Sequence, residues 1–287
     1  MSDSFYMVTG ANGQLGRLVL SHLRNLVPED RILGLVRRET DAEALKAEGL
    51  GARIGDYQDV DSLKDAFAGV ERLLLVSGSA VGQRAAQHGN VIEAAKAAGV
   101  RFIAYTSILA AQTSGMALAA EHKATEDMIK ASGISYAFLR NGWYSENLLA
   151  SLENDLKMGK HFGAAGEGRF STAPRHDYAE AAAIVLSAQG HEGATYELAG
   201  DAAFTLADLA KEIFTASGKA VSYVDMPEAA YKEALIGAGL PDGFAGILAD
   251  SDAWAAKGLL YSASKDLSAL IGHPTETIGA TIRRTLA

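Results

Sequence analysis

Apolar residues in the first half of the chain come in short unbroken runs rather than in alternation. They are FYMVT (5–9), RILGLV (31–36), ARI (52–54), RLLLVS (72–77), RFIAYTS (101–107) and SYAFLR (135–140). Unbroken runs of this length suit strands buried on both faces. Between them lie stretches with apolar residues at helical spacing, at 14–26, 40–48, 60–67, 83–98 and 121–132. Gly49, Gly99 and Gly133 each close a helical stretch just before a strand, the place for a left-handed helix stop. The alternation predicts an α/β fold: a doubly wound parallel sheet of Rossmann type over residues 1–140.

Past residue 141 the rhythm changes. A helix at about 144–157 leads into the glycine-rich KHFGAAGEGRFS, followed by a helix from Asp177 to Ser187. TYELAG (195–200) and AVSYVDM (220–226) read as strands around a helix at 206–216. From 227 to the end the pattern is helical, with Pro241 and Pro274 at expected helix starts. Residues 141–287 are therefore expected to form mainly a smaller α/β substrate lobe, with some segments able to return to the first sheet.

The 287 residues, 48% hydrophobic and 21% charged, fit a globular chain rather than a disordered one. A net charge of −9 with no basic run argues against a nucleic-acid partner. The absence of cysteine removes disulfides, thiolate nucleophiles and thiolate metal sites. No HxxxH or HExxH spacing occurs, so no metal is expected. The opening MSDSFYMVTG lacks the basic and long apolar stretches of an export signal, and no run of about 18 apolar residues occurs. A cytoplasmic location without membrane insertion is the expectation. Helical surfaces leave a homodimer open.

The chemistry enters at VTGANGQLGRLVLSHL (8–23), where Gly10, Gly13 and Gly16 follow a strand and open an amphipathic helix. Gly10 suits the tight turn, Gly13 lets backbone approach a pyrophosphate, and Gly16 lets helix and strand pack closely. The phosphates would then meet the positive end of the helix. The second strand ends in Val36-Arg37-Arg38 rather than in the acid that NAD-binding chains usually carry there. A guanidinium suits a 2′-phosphate, so NADPH is the expected cofactor, with Arg37 as main contact and Arg38 as support. The alternative is two arginines capping a solvated strand end. Asp56 offers a carboxylate near the adenine or an ordinary turn acid. Ser77, Gly78 and Ser79 follow strand four, where small residues let a cofactor pass close.

TGANGQLG, the arginine after strand two, RFIAYTS and FLRNGWYSEN together resemble the NmrA-like group of atypical short-chain dehydrogenase/reductases. Within it the likeness is to the bacterial NAD(P)H:quinone reductases, with triphenylmethane reductases more distant. VGQRAAQHGNVIEAAKAAGV, GHEGATYELAGD and LPDGFAGILADSDAWAAKG extend it over about 5–287. The resemblance implies a flavin-free reduction of quinones by NADPH, with hydride passing directly from the nicotinamide. It also implies the site: Gly10, Asn12, Gly13, Gln14 and Leu15 at the phosphate turn, Arg37 at the 2′-phosphate, and Ser77, Gly78 and Ser79 after strand four. Asn141, Gly142, Trp143, Tyr144 and Ser145 would border the nicotinamide end.

Ordinary members of that superfamily carry Tyr-x-x-x-Lys on the helix after strand five, and extended members a glutamate four residues on. If Glu126 marks that glutamate, the lysine slot holds His122 and the tyrosine slot Leu118. Lys123 lies about 100° around the helix and cannot substitute. The catalytic residue is thus unknown, with His122 the one candidate and Glu121 and Lys123 expected to be solvated. Losing the tyrosine fits a quinone, whose reduction makes a weakly basic hydroquinone anion that water can protonate. Trp143, Tyr144, Phe162 and Tyr105 are candidate flat walls for it, or else core. Thr106 and Ser107 either bond a ring oxygen or the carboxamide, or are satisfied strand-end hydroxyls. His88 is expected to be surface or packing, and His161, His176, His191 and His273 lack a visible partner. Two other readings stay open: an NmrA-like cofactor sensor without turnover, and a reductase of another conjugated acceptor such as a triphenylmethane dye.

Overall fold

The structure, a computed structural model, describes residues 4–287. The first half runs β1 (Phe5–Val8), α1 (Gln14–Leu23), β2 (Ile32–Val36), α2 (Glu39–Ala47), β3 (Gly51–Ile54), α3 (Val60–Ala66) and β4 (Val70–Leu75). It continues with α4 (Arg84–Ala97), β5 (Phe102–Ile108), α5 (Ala117–Ser132) and β6 (Ser135–Asn141). Every residue of β2 and β5 is buried, which is why these runs do not alternate. Gly49, Gly99 and Gly133 adopt φ of 81°, 77° and 78°, the left-handed stops expected of them. The helix expected from residue 121 begins at Ala117 instead. The Ala117 N–H donates to the Asp250 carboxylate at 2.9 Å, a cap distant in sequence.

The second half runs α6 (Ser145–Leu148), α7 (Leu152–Met158), β7 (Lys160–Gly163), β8 (Arg169–Phe170), α8 (Arg175–Ser187), β9 (Ala194–Leu198) and β10 (Phe204–Thr205). After it come α9 (Leu206–Ser217), β11 (Ser222–Asp225), α10 (Glu228–Gly237), α11 (Asp242–Ala255), α12 (Asp266–Ile271) and α13 (Ile278–Leu286). The single helix expected at 144–157 is two helices. The glycine-rich stretch holds β7 and β8, short strands that pair with β11 and β10. Pro241 stands at the N-cap of α11, as expected. Pro274 does not start a helix: α13 begins after Thr277, whose hydroxyl accepts from the Ala280 N–H.

The main sheet has seven strands in the order β3-β2-β1-β4-β5-β6-β9. The pairs β1/β2, β2/β3, β1/β4 and β4/β5 are parallel, so the order reverses at β1. Ligands of such sheets bind beyond the carboxyl ends of the strands at that switch point. β9 lies at the edge of this sheet, so part of the second half does return to it.

Two compact units divide the chain: 1–111 with 121–140 and 178–196, and 112–120 with 141–177 and 197–287. The core of the first centres on Met7, Leu73, Ile103, Tyr105 and Phe138. In the second, α9 packs on α13 and α10 on α11, over buried Phe170, Leu209, Ile213 and Ala249. Among the described residues no helix is long and apolar enough to cross a membrane.

Candidate functional site

The first unit gathers its candidate residues at the carboxyl ends of adjacent strands. After β1, Gly10 takes φ 59° and accepts from the Gly13 N–H at 2.9 Å. A side chain at Gly16 would lie 2.3 Å from the Gly10 carbonyl, so α1 reaches the strand only because this residue is glycine. Gly13 is the N-cap of α1 and offers no side-chain cap, which leaves the positive helix end to a ligand. Gln14 and Leu15 form the first turn, with Leu15 buried and Gln14 exposed.

After β2 the two arginines part company. Arg38 donates from Nε and Nη2 to both oxygens of Asp41, at 2.8 and 2.9 Å. The same carboxylate accepts from the Asn12 amide at 3.0 Å. Arg37 is exposed and has no hydrogen bond or ion pair among the described residues. The Arg38 bond holds the Asp41 carboxyl below its ordinary range, so it stays ionised. After β3, the Asp56 carboxylate accepts from the Gln58 N–H at 2.9 Å, the turn role open to it from sequence.

After β4 the Ser77–Ser79 segment is fastened from below. The Val76 N–H donates to the Thr9 hydroxyl at 2.9 Å, and the Ser77 N–H to the Thr106 hydroxyl at 2.8 Å. Thr106 is therefore a satisfied strand-end hydroxyl. Gly78 donates its N–H to His88 Nε2 at 3.1 Å, while His88 Nδ1 lies 3.0 Å from the Thr125 hydroxyl, which itself donates to the Glu121 carbonyl. That chain of donors requires a neutral imidazole with its proton on Nδ1. Burial, aided by the Arg84 charge, pushes its pKa down to about 3. Arg84 donates to the Gly78 carbonyl at 2.7 Å and pairs with Glu121, which also accepts from the Gly82 N–H. His88 is thus buried and bonded, the packing role of the two open to it, whereas Glu121 is engaged rather than solvated. Lys123 is half exposed, beside Asp127, as expected of it.

Helix α5 carries the residues in the usual catalytic positions. Leu118 is half-buried, and His122 is almost fully buried with Nδ1 2.8 Å from the Tyr105 hydroxyl. Burial lowers the His122 pKa to about 3, so it is neutral at any working pH and is no acid. Tyr105 is core. One turn on, Glu126 accepts two bonds from Arg140, at 2.9 and 2.8 Å, and one from Ser107 at 2.7 Å. Arg84, the bonds His88 makes and the Glu126–Arg140 pair are not evident in the sequence. The one local signal is on α4, where Arg84 and His88 share the buried stripe with Val91, Ile92 and Ala95.

In the second unit, residues 141–145 form one braced segment. Gly142 donates to the Leu198 carbonyl at 2.7 Å and Ser145 to the Ala173 carbonyl at 2.9 Å. The Ser145 hydroxyl lies 2.9 Å from that of Thr172. Asn141 donates its amide to the Tyr144 hydroxyl at 3.2 Å, and its buried Oδ1 has no partner. The Arg175 guanidinium sits 4.7 Å above the Tyr144 ring and donates to Asn147 at 2.6 Å. Its backbone N–H meets both oxygens of Glu146 at 3.1 Å. Trp143 is half-buried, whereas Phe162 stands apart in β7, in register with Val224 of β11. The remaining histidines have partners after all: His161 with Asp155 at 2.8 Å, His191 with Tyr196 at 2.7 Å, His273 with the Pro274 carbonyl at 2.9 Å and His176 with Asp177 at 3.7 Å.

A glycine turn at the switch point of a parallel sheet, with a free guanidinium after β2, defines a dinucleotide-binding protein of the Rossmann class. The chain belongs to the NAD(P)H-binding family, whose model matches residues 10–189. It is 55% identical over 275 residues to quinone oxidoreductase 2 of Escherichia coli strain K12, covering 96% of each chain. The NADPH-dependent quinone oxidoreductase of Escherichia coli, solved with NADPH, superposes with a TM-score of 0.96 at 54% identity, over 98% of this chain and 99% of that one. The triphenylmethane reductase of Citrobacter sp., complexed with NADP(H), superposes with a TM-score of 0.93 at 38% identity, over 97% and 99%.

Proposed function

We propose that this chain is an NADPH-dependent quinone oxidoreductase working by direct hydride transfer, without a flavin. The residues suit the dinucleotide, because Gly16 lets α1 pack directly against the Gly10 turn and α1 presents an uncapped positive end there. Gly10, Asn12, Gly13, Gln14 and Leu15 would hold the pyrophosphate, and Arg37 the 2′-phosphate. Asp56, Ser77, Gly78, Ser79 and Thr106 would line or support the path along the strand ends, and residues 141–145 the nicotinamide end. When bound, the cofactor supplies a hydride. The chain contributes position, and the exclusion of water.

The observation that carries the reading is the state of α5. Leu118 occupies the tyrosine position, and His122 is neutral and bonded to Tyr105, so no proton donor stands in either usual place. Reduction of an isolated ketone creates a basic alkoxide and calls for a positioned acid; a quinone yields a stabilised hydroquinone anion and does not. Tyr144, fixed beneath Arg175, and the neighbouring Trp143 offer flat surfaces for such an acceptor. The likeness to the Escherichia coli quinone oxidoreductase supports the substrate class. A triphenylmethane dye is the second acceptor to test, given the likeness to the Citrobacter reductase. The same reading places the enzyme in the cytoplasm and allows a homodimer.

Purified protein mixed with NADPH and a simple benzoquinone or naphthoquinone is expected to consume NADPH, with NADH clearly poorer and no flavin absorbance. Tight cofactor binding without turnover across a quinone panel would instead mark an NmrA-like cofactor sensor.

A further inference from the structure

Two arginines follow β2, yet only one is available to an anion. Arg38 commits Nε and Nη2 to Asp41, and Asp41 commits both oxygens to Arg38 and one of them also to Asn12. The arrangement is local: Arg38 is the N-cap of α2, and Asp41, three residues on, lies in its first turn. An acid is favoured there by the helix dipole, so the pair would form whether or not a nucleotide were bound. Arg37, one residue earlier, has no hydrogen bond or ion pair among the described residues. Asp41 also places a negative charge beside the anion site, with Arg17 and Arg37 within electrostatic reach of it.

We infer that Asp41 is a specificity-setting residue: it latches Arg38 away from the 2′-phosphate and so limits how strongly the chain prefers NADPH over NADH. This rests on Arg37 being the 2′-phosphate contact. The latch is an exposed ion pair, weak by nature, and a planar fork released from it matches phosphate oxygens bidentately. Replacing the carboxylate by an amide removes the charge and the ion pair. It keeps an oxygen that can accept from Asn12, so the phosphate turn stays tethered.

The test is equilibrium binding of NADP+ and NAD+ to purified protein, which needs no turnover. Asp41→Asn is expected to raise the NADP+ to NAD+ affinity ratio roughly 3- to 10-fold, leaving NAD+ affinity within about twofold. In an Arg37→Ala background, where the ratio should collapse, adding Asp41→Asn should restore part of it. Adding Arg38→Ala to that double variant should abolish the restoration. An unchanged ratio in both backgrounds, or equal loss of NADP+ and NAD+ binding, overturns the latch while leaving the cofactor assignment standing. Failure of the parent protein to bind NADP+ overturns both.

Discussion

The two compact units bury ionisable groups in opposite ways. In the first, His88 and His122 are held neutral, each with its pKa lowered to about 3; His88 accepts from the segment that follows β4, and His122 meets Tyr105 on β5. In the second, the buried acid Asp252 has its pKa pushed up to about 6, chiefly by burial and against the Ala164 N–H that it accepts at 2.9 Å. Around it stand His161 on β7, Asp225 and Tyr223 on β11, and Tyr231 on α10. Asp252, Tyr223 and Asp225 accept in turn from the N–H groups of Ala164, Ala165 and Gly166, so three successive donors of a glycine-rich loop are met by side chains. One unit uses a histidine to fix a loop; the other uses acids and a phenol to fix a loop. In both, a segment without regular structure is braced by side chains that accept from its backbone N–H groups.

The sharpest way to break the first unit is at Glu126, which is fully buried against Arg140. Glu126→Ala removes both of its hydrogen bonds to the Arg140 cation and the one to Ser107, and should cost about 3–5 kcal/mol in chemical denaturation. A loss below about 1 kcal/mol would mean that water reaches Arg140.

Arg37→Glu comes next. It should raise the KM for NADPH roughly 100-fold while changing that for NADH far less. Equal loss of both would remove the reason for placing the 2′-phosphate there.

The pH dependence of stability then tests the comparison directly. An unfolded chain protonates its imidazoles near pH 6.5, but the folded one does not until about 3. The histidine contribution is therefore complete above pH 6.5 and is lost as the pH falls. Asp252 has the opposite sign: the folded chain keeps its proton up to about pH 6, whereas an aspartate in the unfolded chain releases it near 3.8. Its contribution is present below about pH 4 and is lost as the pH rises through 6. Relative to the parent, His88→Gln should thus flatten the acid limb between pH 3 and 6.5. Asp252→Asn should gain stability above pH 6, on the order of 3 kcal/mol. If the two difference curves slope the same way, the contrast fails.

The smallest effect is expected at Arg175→Met, which removes the cation from above Tyr144. It should raise the quinone KM roughly threefold with NADPH kinetics unchanged.

Much of the first unit was legible because its signals are local. A glycine with positive φ, a helix that cannot approach a strand past a Cβ, and an apolar run buried on both faces are set within a few residues. The Gly10–Gly16 turn, the parallel order of the early strands and the availability of Arg37 follow from such signals. The second unit was less legible: β7 and β8 are too short to show a pattern, and β7 is defined by pairing with β11, about sixty residues later.

The sequence by itself determined the class of fold, the glycine turn after β1, the arginines after β2 and the absence of tyrosine and lysine from their places on α5. Only the tertiary structure decided what the polar residues of that helix do. His122 reads as a candidate acid in LAAEHKATE, yet it is packed against Tyr105 and too buried to take up the second proton and its charge. Glu126 reads as a family marker, yet it closes an ion pair with Arg140. Protonation and pairing depend on dielectric and on partners far away in sequence, which no local pattern encodes.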